Sequence, residues 1–188
     1  MSGLVYVFTG EGKGKTSAAL GVATRSLLLG KKVAWIAFYK QESWGLAEAK
    51  LADKFSSLEM MFGGRGFNLG GKKIARVGNK GNVVVDTASK SEHLQAAQAC
   101  LQQAGEVLVK KPFLLVMDEV LNAIGDELIS EQEVIKILRM RDETHIVLTG
   151  RGDKRLKRLW QVADLVTECR KIKHPYDVGK LAVAGLDF

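Results

Sequence analysis

The sequence predicts an α/β fold with a mainly parallel β-sheet and helices on both of its faces. A Gly-rich stretch at residues 9–17 (TGEGKGKTS) lies between an apolar run and an Ala- and Leu-rich run. Further short runs are continuously apolar, as expected of strands buried on both faces in a parallel sheet. Segments with helical spacing of apolar residues separate these runs, and such helices cover parallel sheets. With 188 residues, we expect a single domain that spans residues 1–188.

The Gly-rich stretch predicts a phosphate-binding P-loop, because it joins a strand at residues 4–8 to a helix expected at residues 15–29. Glycines let several backbone N–H groups converge on one anion, and the start of the helix adds unpaired N–H groups. Lys15 is placed to reach phosphate oxygens, and the Thr16 hydroxyl to ligate Mg²⁺. The usual pattern G-x-x-x-x-G-K-[ST] has its first glycine one residue before Gly10, so the loop is a variant or is effectively shorter. The alternative is a Gly-rich turn with a chance Gly-Lys-Thr.

The segment after the P-loop helix continues the alternation of helices and strands. Gly30 is expected to cap that helix in the left-handed conformation. The run at 33–38 (VAWIAF) predicts a strand buried on both faces, with Trp35 in the core. We then expect a helix near residues 46–55 and a short strand at residues 58–62.

A flexible Gly-rich loop is expected at residues 63–71, with basic and polar residues following at 72–82. Long loops within compact domains often serve as lids or binding loops. Phe67 and Leu69 favour such a role, because the segment has little other reason to carry apolar side chains. The alternative is a disordered surface excursion.

A second motif lies in the middle of the chain, where an apolar run at residues 113–117 ends in Asp118 and Glu119. An apolar strand that ends in an acidic residue is the Walker B pattern. Such a strand ends at the ligand crevice beside the P-loop, so either carboxylate can hold Mg²⁺ directly or through water.

Capping boxes at residues 89–92 and 130–133 predict two helix starts, with His93 at the surface or at the boundary of the core. A buried strand at 144–148 leads to Thr-Gly-Arg-Gly, where Arg151 lies at the end at which such strands point toward bound phosphates. For the remainder we expect Asp153 as a helix cap, a strand at 165–173, and a last turn and an edge strand in the tail at 174–188.

Composition indicates a globular protein, with 46% hydrophobic and 26% charged residues. We expect a cytoplasmic protein without membrane association, because the sequence has neither a transmembrane run nor a signal-peptide pattern. Cys100 and Cys169 are far apart and predict free, buried thiols. The net charge of +7 suits nucleic acid or polyphosphate ligands. The basic run at 154–158 is better explained as a solvated helix face, with Leu156 and Leu159 inward, than as a nucleic-acid patch.

Taken together, these motifs resemble those of the P-loop ATP:corrinoid adenosyltransferases, which are the cob(I)yrinic acid a,c-diamide adenosyltransferases of cobalamin synthesis and salvage. The resemblance rests on GEGKGKT at 10–16, VMDE at 116–119, TGRG at 149–152 and the ending GLDF at 185–188. It covers nearly the whole chain in the same order.

The resemblance implies a RecA-like P-loop fold and a homodimer. It implies a reaction in which cobalt(I) of a reduced corrinoid attacks C5′ of ATP and triphosphate leaves. A reductant protein such as a flavodoxin is an implied partner, and nucleic acid is not. The implied ATP contacts are Gly10, Glu11, Gly12, Lys13, Gly14, Lys15, Thr16, Ser17 and Arg25.

The resemblance also implies roles for particular side chains. Lys15 and Arg151 would stabilise charge on the leaving triphosphate, and Phe67 and Leu69 would contact the corrinoid at the face of its lower axial ligand. The implied magnesium ligands are Thr16, Asp118 and Glu119.

Two other functional classes stay open at this point. One is a RecA-like ATPase or kinase, since Glu119 can activate water. The other is a non-catalytic nucleotide- or nucleic-acid-binding module, which the basic charge favours. The phosphate products released from ATP would distinguish an ATPase or kinase from an adenosyltransferase. Salt-sensitive nucleic-acid binding would reveal a non-catalytic binding module.

Overall fold

The computed structural model describes residues 2–66, 73–77, 82–85, 88–152 and 156–187. Its strands are β1 (Val5–Thr9), β2 (Val33–Ala37), β3 (Leu58–Phe62), β4 (Lys73–Val77), β5 (Asn82–Val85), β6 (Leu114–Asp118), β7 (His145–Thr149) and β8 (Leu165–Glu168). Its α-helices are α1 (Lys15–Leu28), α2 (Lys90–Val109), α3 (Val120–Gly125), α4 (Glu131–Arg139) and α5 (Lys157–Val162).

Among the described strands, six form one sheet in the order β3-β2-β6-β7-β1-β8. Every neighbouring pair in this sheet is parallel, which confirms the predicted α/β class. The carboxyl ends of β1, β6 and β7 therefore meet at one edge of the sheet. The predicted P-loop follows β1 and the Walker B residues end β6, so the topology brings the two motifs to the same place.

The sheet is covered on both faces, as the continuous apolar runs predict. Alternate residues of β2 point to opposite sides: Trp35 packs with Ala19 and Ala23 of α1, whereas Ile36 belongs to the cluster formed with α2, α3, α4 and α5. All five residues of β2 and all five of β6 are buried. This burial explains why neither strand shows polar alternation in the sequence.

The predicted helix boundaries are largely confirmed. Gly30 has a φ of 68° just after Leu29, the C-cap residue of α1, and both capping boxes form, at Ser89 with Glu92 and at Ser130 with Glu133. Each serine side chain accepts a hydrogen bond from the backbone of the glutamate three residues later, so that an exposed donor of the first turn is satisfied.

The expected position of His93 is wrong, because its side chain is buried. His93 lies one turn before Ala97 and two turns before Cys100, and both of these residues are in the core. Helical spacing therefore puts His93 on the buried face of α2. Burial also raises the pKa of the Cys100 thiol to about 12. Cys100 and Cys169 are both free, as predicted, and Cys169 is only partly buried.

Four other expectations need correction. The helix expected near 46–55 is a short 3-10 helix at Ala47–Leu51. Strands β4 and β5 form an antiparallel pair where the sequence indicated a loop, because β-branched residues outweigh the polar ones there. The strand expected at 165–173 ends at Glu168. Residues 169–187, all within the described part of the chain, contain a 3-10 turn at Pro175–Val178 and no edge strand.

The basic segment before the last strand agrees with the prediction where the structure describes it. Leu156 and Leu159 are buried, which supports a solvated helix face with an apolar side turned inward. The predicted cap at Asp153 lies outside the described residues. In the described part of the chain, every helix is too short or too polar to cross a membrane.

Candidate active site

The loop between β1 and α1 turns through two glycines in the left-handed region. Gly10 and Gly14 have φ values of 107° and 111°, a region that other residues rarely adopt. Gly12 is required for a different reason, because a Cβ there would lie 2.6 Å from the carbonyl oxygen of Cys169. The glycines thus serve both the turn and the close approach of the chain that follows β8.

Hydrogen bonds attach this loop to two neighbouring strand ends. The Gly12 N–H donates to the Cys169 carbonyl at 2.7 Å, and the Cys169 N–H donates to the Thr9 carbonyl at 2.7 Å. The Thr9 hydroxyl accepts from the Gly152 N–H at 2.8 Å. Thr9 stands where the usual pattern has its first glycine, and its hydroxyl connects the P-loop to the turn after β7.

Lys15 lies inside the curve of the loop. Its Nζ donates to the carbonyls of Gly10 and Gly12 at 2.8 and 2.7 Å. Burial lowers the pKa of Lys15, and the carboxylate of Glu119 opposes that shift. The loop therefore holds an ammonium group at its centre, in the position from which it can turn toward a bound phosphate.

Asp118 is the central acceptor of the site and is fully buried. Its Oδ1 accepts from the hydroxyl of Thr16 at 3.1 Å and from the hydroxyl of Thr149 at 2.6 Å. The Thr149 hydroxyl in turn accepts from the Glu119 N–H at 2.8 Å. The ends of β6 and β7 and the first turn of α1 are thereby joined through one carboxylate.

Lys40, which the sequence analysis did not single out, contacts the other oxygen of Asp118. Its Nζ lies 2.9 Å from Asp118 Oδ2 and 2.7 Å from Glu48 Oε1. Burial alone would lower the pKa of Lys40, but the carboxylates of Asp118 and Glu48 outweigh it and raise that pKa. The available signal was its position just beyond a buried parallel strand, at the edge where ligands bind.

Glu119 has an unusual backbone conformation, with a φ of 65° for a residue other than glycine. Its carboxylate accepts a hydrogen bond from the side chain of Asn122. Burial and the nearby Asp118 raise the pKa of Glu119 to about 7. The side-chain Oδ1 of Asn122 also accepts a hydrogen bond from the backbone N–H of Arg151 at 2.6 Å. Asn122 therefore connects the Walker B glutamate to the turn after β7.

Basic side chains at the rim of the site are paired with carboxylates. Arg151 Nε lies 3.5 Å from Glu11 Oε2, and both side chains are more than half exposed. Lys13 forms an ion pair with Asp187 near the end of the chain. The exposed pair of Arg151 with Glu11 is weak in water, so Arg151 can exchange its partner for a more strongly charged anion, whereas the Asp187 side chain is mostly buried.

Comparison with known proteins decides the family. The family model described as ATP:corrinoid adenosyltransferase BtuR/CobO/CobP matches residues 1–188. The chain belongs to the ATP:corrinoid adenosyltransferase family. It is 30% identical over 188 residues to the corrinoid adenosyltransferase of Escherichia coli K12, covering 99% of this chain and 86% of that protein. It is 31% identical over 189 residues to the corrinoid adenosyltransferase CobA of Salmonella typhimurium, with the same coverage.

A solved structure of the replication initiator DnaA, bound to AMPPCP and single-stranded DNA, matches more distantly. Its TM-score is 0.43 and its identity 15%, over 88% of this chain and 40% of that chain. A likeness of this size carries no argument about function, so family membership rests on the sequence matches.

The structure brings most of the predicted site residues of this family member to one edge of the sheet. Ser17 is exposed in the first turn of α1, beside the residues of the loop. Arg25 is exposed in the last turn, ten residues beyond Lys15, or about 15 Å along the helix axis. Phe67 and Leu69 lie outside the described residues, so their contact with the corrinoid stays a prediction.

The predicted magnesium ligands fit that ion by their chemistry and by their placement. Mg²⁺ prefers oxygen ligands and keeps several waters or phosphate oxygens in its shell. The Thr16 hydroxyl and Asp118 carboxylate are 3.1 Å apart, and Glu119 follows directly in the chain. Within the described ranges, no group of three or more His, Cys, Asp or Glu residues forms a ligand cluster of its own. Waters or phosphate oxygens would complete the shell of a metal held by these residues.

Proposed function

We propose that this chain transfers the 5′-deoxyadenosyl group of ATP to cobalt(I) of a corrinoid and releases triphosphate, in one domain formed by residues 1–188. Family membership supports this proposal. The observation that carries it is the anion cradle, in which Lys15 is centred in a Gly-rich loop beside Thr16 and Asp118. All three lie at the carboxyl edge of the parallel sheet, where ligands bind.

The reaction requires neither a nucleophile nor a general base from the protein. Cobalt(I) supplies the electron pair of the new cobalt–carbon bond, the bond between C5′ and oxygen breaks, and triphosphate leaves with its pair. The protein has to align C5′ with cobalt and stabilise charge on the leaving group. A site that holds cations and backbone N–H groups is suited to both tasks.

Particular side chains support stabilisation of the leaving triphosphate. We propose that Lys15 exchanges its loop carbonyls for phosphate oxygens. Lys13 and Arg151 would exchange Asp187 and Glu11 in the same way. Bound Mg²⁺ supplies further neutralisation of the phosphates, and the residues proposed to hold it are Thr16, Asp118 and Glu119.

The resemblance of the motifs supports three further proposals about the working state of the protein. These are a homodimer, a cytoplasmic location and reduction of the corrinoid by a protein such as a flavodoxin. Light scattering of the purified protein tests the first of them, and reduction of bound cobalt(II) by a flavodoxin tests the last.

The test of the proposed function is an anaerobic incubation with ATP, Mg²⁺ and chemically reduced cobalamin. We expect the absorption spectrum of an alkylated corrinoid that reverts on exposure to light, because the cobalt–carbon bond is photolabile. Omission of ATP is the control. Failure to form a light-sensitive product, by a folded protein that binds ATP, would contradict the proposal.

A further inference from the structure

Lys40 forms a buried ion triad with Asp118 and Glu48, and the proposed chemistry uses only Asp118 of the three. Its ammonium group lies between Asp118 and Glu48, and the side chains of Lys40, Asp118 and Glu48 are 11%, 0% and 7% exposed. Burying three charges is costly, and the attraction and hydrogen bonds among them offset that cost only where the geometry is well defined. The arrangement that this triad holds is the orientation of the Asp118 carboxylate.

The two carboxylate oxygens of Asp118 face different partners. Oδ2 faces the Lys40 ammonium, while Oδ1 faces the hydroxyls of Thr16 and Thr149. The positive charge on one side thereby fixes the rotation of the carboxylate and directs the other oxygen toward the first turn of α1. Lys40 touches neither the loop nor Thr16 through any described side-chain contact, so it acts through Asp118.

The main chain at Lys40 is hydrogen-bonded to the start of the second Gly-rich segment, at residues 63–71. Its carbonyl accepts from the Gly64 N–H at 3.2 Å, and the Tyr39 carbonyl accepts from the Gly66 N–H at 3.1 Å. Glu48, the third member of the triad, belongs to the 3-10 helix at Ala47–Leu51. Lys40 thus has fixed contacts on three sides, which restrict where its ammonium can lie.

We infer that Lys40 is a positioning residue that orients Asp118 toward Thr16 and so sets how strongly Mg²⁺ enhances ATP binding. The inference rests on the nucleotide-binding part of the proposed function. Residues that orient a metal ligand from outside its shell commonly change metal affinity or activity about 10–100-fold when they are replaced. The effect on nucleotide binding should therefore appear with magnesium and be absent without it.

The test compares ATP affinity by titration calorimetry in excess Mg²⁺ and in EDTA, and the ratio of the two affinities is the magnesium gain. The informative variant is Lys40→Met/Glu48→Met. This double substitution leaves the net charge of the triad unchanged and leaves Asp118 with the hydroxyls of Thr16 and Thr149, whereas Lys40→Met alone would leave two buried carboxylates without a cation. The matched control is Lys110→Met/Glu59→Met, which removes an exposed pair with a separation of 3.0 Å.

We expect the buried double variant to lose about tenfold or more of the magnesium gain, while its ATP affinity in EDTA stays close to that of the wild type. The exposed control should keep the full gain. A buried variant with an undiminished gain would overturn the inference, and so would a wild type without any gain.

Glu48→Gln provides a second variant, because it leaves Lys40 and Asp118 as a balanced pair and protects folding. We expect it to lose part of the magnesium gain. If the double variant does not fold and Glu48→Gln keeps the whole gain, the inference is wrong. A wild type that shows the gain but makes no adenosylated corrinoid would contradict the proposed function and leave this inference standing.

Discussion

Lys15 shows at the scale of one residue how the loop between β1 and α1 is held together. Its ammonium group donates hydrogen bonds to the carbonyls of Gly10 and Gly12, so the group proposed to meet a phosphate also satisfies acceptors of its own loop. Phosphate binding then replaces these neutral acceptors by charged ones, which form stronger hydrogen bonds. Binding should therefore depend steeply on this side chain.

The first prediction concerns Lys15 and Thr16. We expect Lys15→Ala and Thr16→Ala each to lower kcat/KM for ATP by about 100-fold or more, because charge on the leaving triphosphate is no longer stabilised. The fold should remain, since loss of these hydrogen bonds costs on the order of 1 kcal/mol each. Steady-state kinetics and thermal unfolding measure the two effects. Lys136→Ala, on the exposed face of α4, is the control, and unchanged kinetics in a folded Lys15→Ala/Thr16→Ala protein would refute the P-loop assignment.

The second prediction uses the raised pKa of Glu119, which lies near 7 in the folded protein against an ordinary value of 4.5. The folded state binds the proton of Glu119 more tightly than the unfolded state does. The cost of ionising Glu119 in the folded protein is therefore absent below pH 4.5 and complete above pH 7. The free energy of unfolding should therefore fall as the pH rises through this window, by up to about 3 kcal/mol from this group.

Glu119→Gln removes the titrating group. In EDTA, urea unfolding from pH 5 to pH 8 should show the variant gaining stability relative to the wild type as the pH rises. Asn122 can still donate to the amide oxygen, so the hydrogen bond itself is not lost. A stability difference that stays constant across this range would show that Glu119 is ionised throughout.

At the scale of elements, the P-loop depends on a close contact with the chain after β8. Gly12 and Gly21 form a natural comparison, because both are glycines in the first quarter of the chain. A Cβ at Gly12 would meet the Cys169 carbonyl at 2.6 Å, whereas a Cβ at Gly21 would meet nothing within 4 Å. Packing therefore requires glycine at position 12. At position 21, glycine only lowers the helix propensity of α1.

The third prediction follows from that comparison. Gly12→Ala should displace the loop, remove measurable ATP binding and lower the melting temperature. Gly21→Ala should leave ATP binding unchanged and stabilise the protein by about 0.5–1 kcal/mol, since alanine is the better helix former. Titration calorimetry and thermal unfolding of both variants provide the check. Normal ATP binding by Gly12→Ala would show that the loop is not held against Cys169.

The elements also show what a sequence can and cannot predict. Strands β2, β6 and β7 were predictable because they are buried on both faces and continuously apolar, and capping boxes marked α2 and α4. The pairing of β4 with β5 was missed because the basic and polar residues at 72–82 follow a Gly-rich stretch and indicated a loop, although β-branched residues predominate in the two strands themselves. Thr9, Lys40 and Asn122 were missed because their partners lie on other strands or turns, and only the sheet order brings these together.

At the scale of the whole molecule, the strand order explains why the site is where it is. Strand β7 lies between β1 and β6, so Thr149 at its end contacts Asp118, and Gly152 just beyond contacts Thr9. The P-loop and the Walker B carboxylates therefore share a neighbour on the strand between them. The topology thereby places Lys15, Thr16 and Asp118 at one edge of the sheet, where we propose that the triphosphate of ATP binds.

The most direct test of this account is the phosphate product released from ATP. Under anaerobic conditions with Mg²⁺ and chemically reduced cobalamin, ion-exchange chromatography should show triphosphate in a one-to-one ratio with the alkylated corrinoid. ADP should not accumulate, and without corrinoid ATP should persist. Release of ADP and phosphate without corrinoid, abolished by Glu119→Gln, would contradict adenosyl transfer and assign the same site to ATP hydrolysis.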